Sequence, residues 1–149
     1  MEKRVVITGM GIYSCLGKTL DEVRDSLYTG KSGIILDQAR KEMGFRSGLT
    51  AYLEVPDLKK ELSRNQRVYM PEQAKYAYCA TVDALKHAGI TQDYLDSHEV
   101  GLLYGNDSSA DAVVKSVDTM REKKDTTLVG SGAIFQSMNS TVTMNLACI

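Results

Sequence analysis

A chain of 149 residues is one domain's worth of sequence, and burying roughly 70% of its extended surface is feasible at that length. Its 43% hydrophobic and 25% charged residues are ordinary for a globular protein. Eighteen Lys and Arg against 19 acidic residues leave no net field to draw nucleic acid or an anionic membrane, and with no Trp and two Phe there is little to stack bases on.

No apolar run reaches the ~20 residues that span a bilayer. The opening MEKRVVITGMG has a charged start but only a short apolar burst, too little for a signal peptide. Cys15, Cys79 and Cys148 are odd in number and lack CxxC spacing. Reduced thiols in a soluble cytoplasmic protein, with no zinc site, are the expectation.

RVVITG, Arg4 to Gly9, is a β-branched run closed by glycine and predicts a buried strand. Thr19 and Glu22 form a T-x-x-E capping box, opening a helix with Leu20, Val23 and Leu27 on one face and Gly30 as its stop. Residues 31–70 predict loops and short elements. Pro71 to Ala88 is the clearest helix, with proline at its first turn and Gly89 just past its end. Ala74, Ala77, Thr81, Ala84 and Ala88 give it a face of small side chains suited to close packing.

EVGLLYG, Glu99 to Gly105, predicts a second buried strand neighbouring the first. Asp111 to Lys123 predicts a helix with Val113, Val114, Val117 and Met120 as its apolar stripe. After a break at Gly130 to Gly132, a last helical pattern runs through Phe135, Met138, Val142, Leu146 and Ile149. Strands alternating with helices indicate α/β layers around a largely parallel sheet, and two strands are few for a complete one. The pattern reads as part of a larger domain, whose open sheet edges would make these residues alone associate or aggregate.

Two nucleotide-binding motifs are approached and missed. Gly17-Lys18-Thr19 follows a strand as a phosphate-binding loop does, but the glycine required five residues earlier is Ile12, and Gly11 is one residue early. Gly9, Gly11 and Ser14 supply two of the three glycines of a dinucleotide fingerprint, and Asp37 lies too far on to be its ribose-binding acid. His87, in the last turn of the long helix, predicts a cap on the helix dipole, and His98 lies in a polar loop. Neither stands beside a cysteine or a carboxylate pair.

RVVITGMGIYSCLGKTLDEVRDSLYTGKSGI closely resembles the opening of the β-ketoacyl-acyl-carrier-protein synthases, the elongating condensing enzymes of fatty acid synthesis. LSRNQRVYMPEQAKYAYCATVDALKHAGI, EVGLLYGNDSSA and FQSMNSTVTMNLACI continue the resemblance in the same order over nearly the whole chain. It implies a thiolase-like, layered αβαβα fold, of which residues 1–149 are most of the first half. It also implies the reaction. A nucleophilic cysteine takes an acyl group from a carrier thioester, and two histidines support decarboxylation of malonyl-carrier and condensation, with no metal or organic cofactor. The partners implied are acyl carrier protein, acyl- and malonyl-loaded, and a second copy in a homodimer, with no nucleic acid and no membrane. The other reading is a non-catalytic half-fold acting as a binding or dimerisation module.

The resemblance places the nucleophile after the segment that NLACI matches, so the catalytic cysteine and both histidines are expected beyond Ile149. Cys148 is then a buried packing residue late in a helix, slow to alkylate. The acyl pocket is expected to draw on Ser108, Phe135 and Met138, although Asp107 departs from the G-S-G turn usual there. The carrier is expected to dock at Arg64 and Arg67, with fewer basic neighbours than relatives have.

Overall fold

Helix α1 (Leu20–Thr29) of the computed structural model, which describes residues 4–106 and 110–149, begins where the sequence places it. The Thr19 hydroxyl accepts the Glu22 N–H at 3.2 Å, and the Glu22 carboxylate accepts the Lys18 N–H at 2.6 Å. The box therefore closes one residue before the usual reciprocal partner. Gly30 follows at φ 68°, a left-handed conformation that costs glycine little, and the Lys31 N–H reaches back to the Ser26 carbonyl.

The excursion that follows is short elements, as expected. Strand β1 (Ile34–Leu36) pairs antiparallel with β2 (Leu49–Ala51), Ile35 opposite Thr50. Between them lies α2 (Gln38–Glu42), capped by the Asp37 carboxylate on the Ala39 N–H at 3.0 Å. Helix α3 (Arg64–Val68) opens with a full capping box between Ser63 and Gln66. Pro71 precedes α4 (Glu72–Ala88), and Gly89 ends it at φ 69°. Then come α5 (Gln92–Ser97), α6 (Asp111–Lys123), a 3-10 turn at Thr126–Leu128, α7 (Ala133–Gln136) and α8 (Thr141–Ala147).

The chain divides into two compact units. One runs up to Val55 and includes Cys79–Tyr94; the other is Pro56–Tyr78 with Leu95–Ile149. In the first, Gly9 and Gly11 lie against the small-residue face of α4. A Cβ at Gly9 would collide with the Ala84 carbonyl and Ala88, and one at Gly11 with the Ala80 carbonyl. In the second, Leu58, Leu62, Met70, Ala74, Ala77, Ala112 and Val142 form a buried apolar core. Each large side chain among them contributes about 1.5–3 kcal/mol by leaving water.

Several expectations fail here. Residues 4–8 and 100–104 are not buried strands: Val5 is 97% and Leu103 99% exposed, and neither run forms a ladder among the described residues. Their β-branched and apolar residues favour extended backbone, but a strand is held by a neighbour's N–H and C=O groups, and here they find none. The valines of α6 are exposed while Ala112 is buried, so that helix turns its small side chains inward. The last helical pattern breaks at Ser137–Ser140, where Ser and Asn propagate a helix poorly. Helix α8 then buries Thr141, Val142 and Asn145, while Phe135, Met138 and Ile149 stay exposed.

Candidate functional site

Arg64 and Arg67 both lie on α3, in the second unit. Arg64 points to solvent. Arg67 is half-buried and its Nε donates to the Leu62 carbonyl at 3.1 Å. Nearby, Lys59 bonds the Asp57 carboxylate through its ammonium and its backbone N–H; these bonds, with a smaller contribution from the Arg67 charge, hold Asp57 below the ordinary carboxylate range. One arginine of the expected docking pair is thus free of partners among the described residues, and the other is partly committed to its own unit.

A second basic feature, not expected from the sequence, closes α6. A cavity of about 790 Å³ is lined by Val117, Met120 and Val129 and rimmed by Arg121 and Lys124. Lys124 caps α6 at φ 54°, its N–H donating to the Met120 carbonyl. The signal was present in the run REKKD, which puts three cations at a helix C-terminus where the dipole favours them.

Of the residues expected at the acyl pocket, Phe135 and Met138 lie at α7 and just after it. Phe135 stands edge to face on Tyr69, ring centroids 5.2 Å apart at 83°. Both line a cavity of about 400 Å³ with Gln66, Met144, Asn145 and Cys148. Three contacts fix α7 and α8 against the end of α3. Gln136 Nε2 donates to the Val68 carbonyl at 2.8 Å, Asn145 Nδ2 donates to the Tyr69 carbonyl at 3.1 Å, and a Cβ at Gly132 would lie 2.6 Å from the Val68 oxygen. Met138 sits in the turn between α7 and α8 and does not line this cavity. Ser108 and Asp107 lie outside the described residues.

Cys148 corrects the sequence reading. It is the C-cap of α8 and exposed, its N–H bonded to the Asn145 carbonyl at 3.3 Å. The helix ends two residues sooner than its apolar pattern suggests, and Cys148 lies just past that end. His87 is a second correction: its Nδ1 accepts the Met10 N–H at 3.1 Å, so it does not act as a cationic cap in this arrangement.

The nucleotide near-misses acquire structural reasons. Lys18 Nζ pairs with the Glu54 carboxylate at 2.5 Å and lies 5.5 Å over the Tyr13 ring. The hydrogen bond to Glu54, then that to Tyr13, raises the Lys18 pKa; the same bond and the ammonium charge lower Glu54. With Glu22 already on the Lys18 N–H, carboxylates occupy the donors a phosphate would need. Asp37 is spent as the cap of α2. Among the described residues, no three His, Cys, Asp or Glu side chains converge as metal ligands, and no helix is long and apolar enough to cross a membrane.

The family model for the β-ketoacyl synthase N-terminal domain matches residues 2–147. The 3-oxoacyl-[acyl-carrier-protein] synthase 1 of Haemophilus influenzae is 32% identical over 146 residues, covering 97% of this chain and 36% of that protein. Its Escherichia coli K12 counterpart is 32% identical over 147 residues, with the same coverage. The crystal structure of a β-ketoacyl synthase from Burkholderia phymatum superposes with a TM-score of 0.85 at 28% identity, over 99% of this chain and 36% of that one. The ishigamide ketosynthase/chain length factor, at 18% identity, shares the fold alone with a TM-score of 0.77. The chain therefore has the first half of a thiolase-like fold and spans about 36% of the length of the curated relatives it matches.

Proposed function

The chain belongs to the β-ketoacyl synthase family through that family's N-terminal domain, and we propose that it is the front part of a cytoplasmic, homodimeric 3-oxoacyl-[acyl-carrier-protein] synthase. The match over residues 2–147 to a condensing-enzyme domain carries this reading. In the reaction proposed, a cysteine thiolate attacks the thioester carbonyl of an acyl-carrier, and the carrier thiol leaves. Malonyl-carrier then loses carbon dioxide, and the resulting carbanion attacks the acyl-enzyme carbonyl, expelling the cysteine thiolate and forming the 3-oxoacyl-carrier. The cysteine and two supporting histidines belong to sequence following the segment that ends here at Ile149.

The contributions assigned to residues 1–149 are recognition and shape. Arg64 offers an unpaired cation on α3, and Arg121 and Lys124 rim the groove at the end of α6, all in one unit. Such a surface suits an acidic carrier protein bearing a long, flexible acyl arm. Phe135, Met138 and Ser108 are proposed to shape the acyl pocket, and Phe135 lines a cavity with Tyr69.

The test is a chimera in which this chain replaces the matching front third of the Escherichia coli relative. Condensation of acyl-carrier with malonyl-carrier is expected from the chimera. The 149-residue chain alone is expected to form no acyl-thioester by mass spectrometry. An adduct mapped to Cys148, or a well-folded chimera that binds carrier without condensing, defeats the reading; the latter favours a non-catalytic binding module.

A further inference from the structure

Met10 donates its backbone N–H to His87 Nδ1 at 3.1 Å, across 77 positions of sequence. An N–H needs a lone pair to receive it, so Nδ1 is unprotonated here and the ring is neutral, its proton on Nε2. The bond lies between two other contacts of the same three residues. Gly9 meets Ala84 and Ala88, and Gly11 meets Ala80 and Ala84, on the final turns of α4. The residues just before, 4–8, make no ladder among the described residues.

We propose that His87 is a pH-sensitive clasp holding the Gly9–Gly11 segment, and with it the exposed run before it, on the C-terminal turns of α4. When the imidazole takes a proton from solvent, that proton occupies the Nδ1 lone pair. Met10 then faces a donor in place of an acceptor, and the bond is lost. The titratable and charged groups on the elements that meet at this point are Arg4 and Tyr13 on the N-terminal segment, Asp83 and Lys86 on α4, and Asp93 at the start of α5.

The experiment is amide hydrogen exchange by NMR on these residues, labelled, within the chimera described above, between about pH 8 and pH 5. His87's own ring signals report its titration, and α4 amides serve as the internal control. The protection factor of Met10 is expected to fall about three- to tenfold as the ring titrates, the size of one exposed hydrogen bond. His87→Asn keeps an acceptor but no titration, so its Met10 protection is expected to stay flat; His87→Ala is expected to be low throughout. Unchanged Met10 protection while the ring titrates overturns the proposal, as does a parallel fall in α4 amides or an equal fall in His87→Asn. If His87→Asn does not fold, the wild-type contrast between Met10 and the α4 amides still decides.

Discussion

Asn145 and Tyr69, 76 positions apart in sequence, are joined by a hydrogen bond of 3.1 Å from Asn145 Nδ2 to the Tyr69 carbonyl. The same nitrogen donates to the Thr141 carbonyl at 2.7 Å, and the side chain is 5% exposed. One amide therefore satisfies the frayed end of α3 and a buried turn of α8 together. Asn145→Ala is expected to destabilise the chain by about 1–3 kcal/mol, because the buried Thr141 turn and the part-buried Tyr69 carbonyl lose this donor together. Urea denaturation measures it. A loss under about 0.5 kcal/mol would mean that water replaces the amide at little cost.

Gly11 carries a prediction of a different kind. The Ala80 carbonyl and the Ala84 nitrogen occupy the space a side chain would need. Those neighbours are helix backbone, which cannot rotate aside as a side chain does. Gly11→Ala is expected to cost about 1–3 kcal/mol through forced backbone shifts. Gly101→Ala, where a Cβ meets nothing within 4 Å, is the matched control and is expected to be near neutral.

The Lys18–Glu54 pair sets a pH dependence with opposite signs at its two ends. Glu54 is lowered from its ordinary value of 4.5, so its contribution is present above that value and lost as pH falls through the folded one. Lys18 is raised from 10.5, so its contribution is present below that value and lost as pH rises through the folded one. Between these limits the pair is intact. Both groups are solvent-exposed, so the effect on stability is small and screened by salt. The Glu54 carboxyl carbon signal is expected to titrate at lower pH than in a Lys18→Met variant; coincident curves would show that the pair does not persist in solution.

What was legible in the sequence was local. The Thr19 cap, the Gly30 and Gly89 stops, and the span of α4 follow from side-chain chemistry within a few residues, and they stand almost as read. The family was legible for the same reason, since ordered blocks of residues survive without knowledge of any contact. Burial was not. Val5 and Leu103 have the composition of core strands, yet a strand's burial depends on partners that composition does not name. The helix stripes misled in a related way. Helix α6 buries Ala112 and leaves its valines open, because a small side chain lets the backbone approach where a valine holds it off. The basic rim at Arg121 and Lys124 went unread although its residues lie three positions apart, since they came to line a cavity only where α6 ended beside Val129.

Lys124 joins these threads, because it stands in a conformation its residue type does not favour. Its φ of 54° closes α6 in the left-handed region, where glycine is at ease and a side chain costs about 1 kcal/mol. Gly30 and Gly89 end α1 and α4 with the residue that this geometry suits. Lysine rather than glycine there sets a charge beside the α6 groove, the charge that the proposed carrier docking would use. Lys124→Gly is therefore expected to raise stability by about 0.5–1 kcal/mol while weakening the binding of an acidic acyl carrier protein by a few-fold, most clearly at low salt. Thermal unfolding and calorimetric titration with acyl-loaded carrier separate the two effects. If stability rises and carrier binding is unchanged, Lys124 is only a strained cap, and the docking surface must be sought elsewhere, first at Arg64. If stability falls, the lysine makes contacts that compensate its backbone, and the strain argument is wrong.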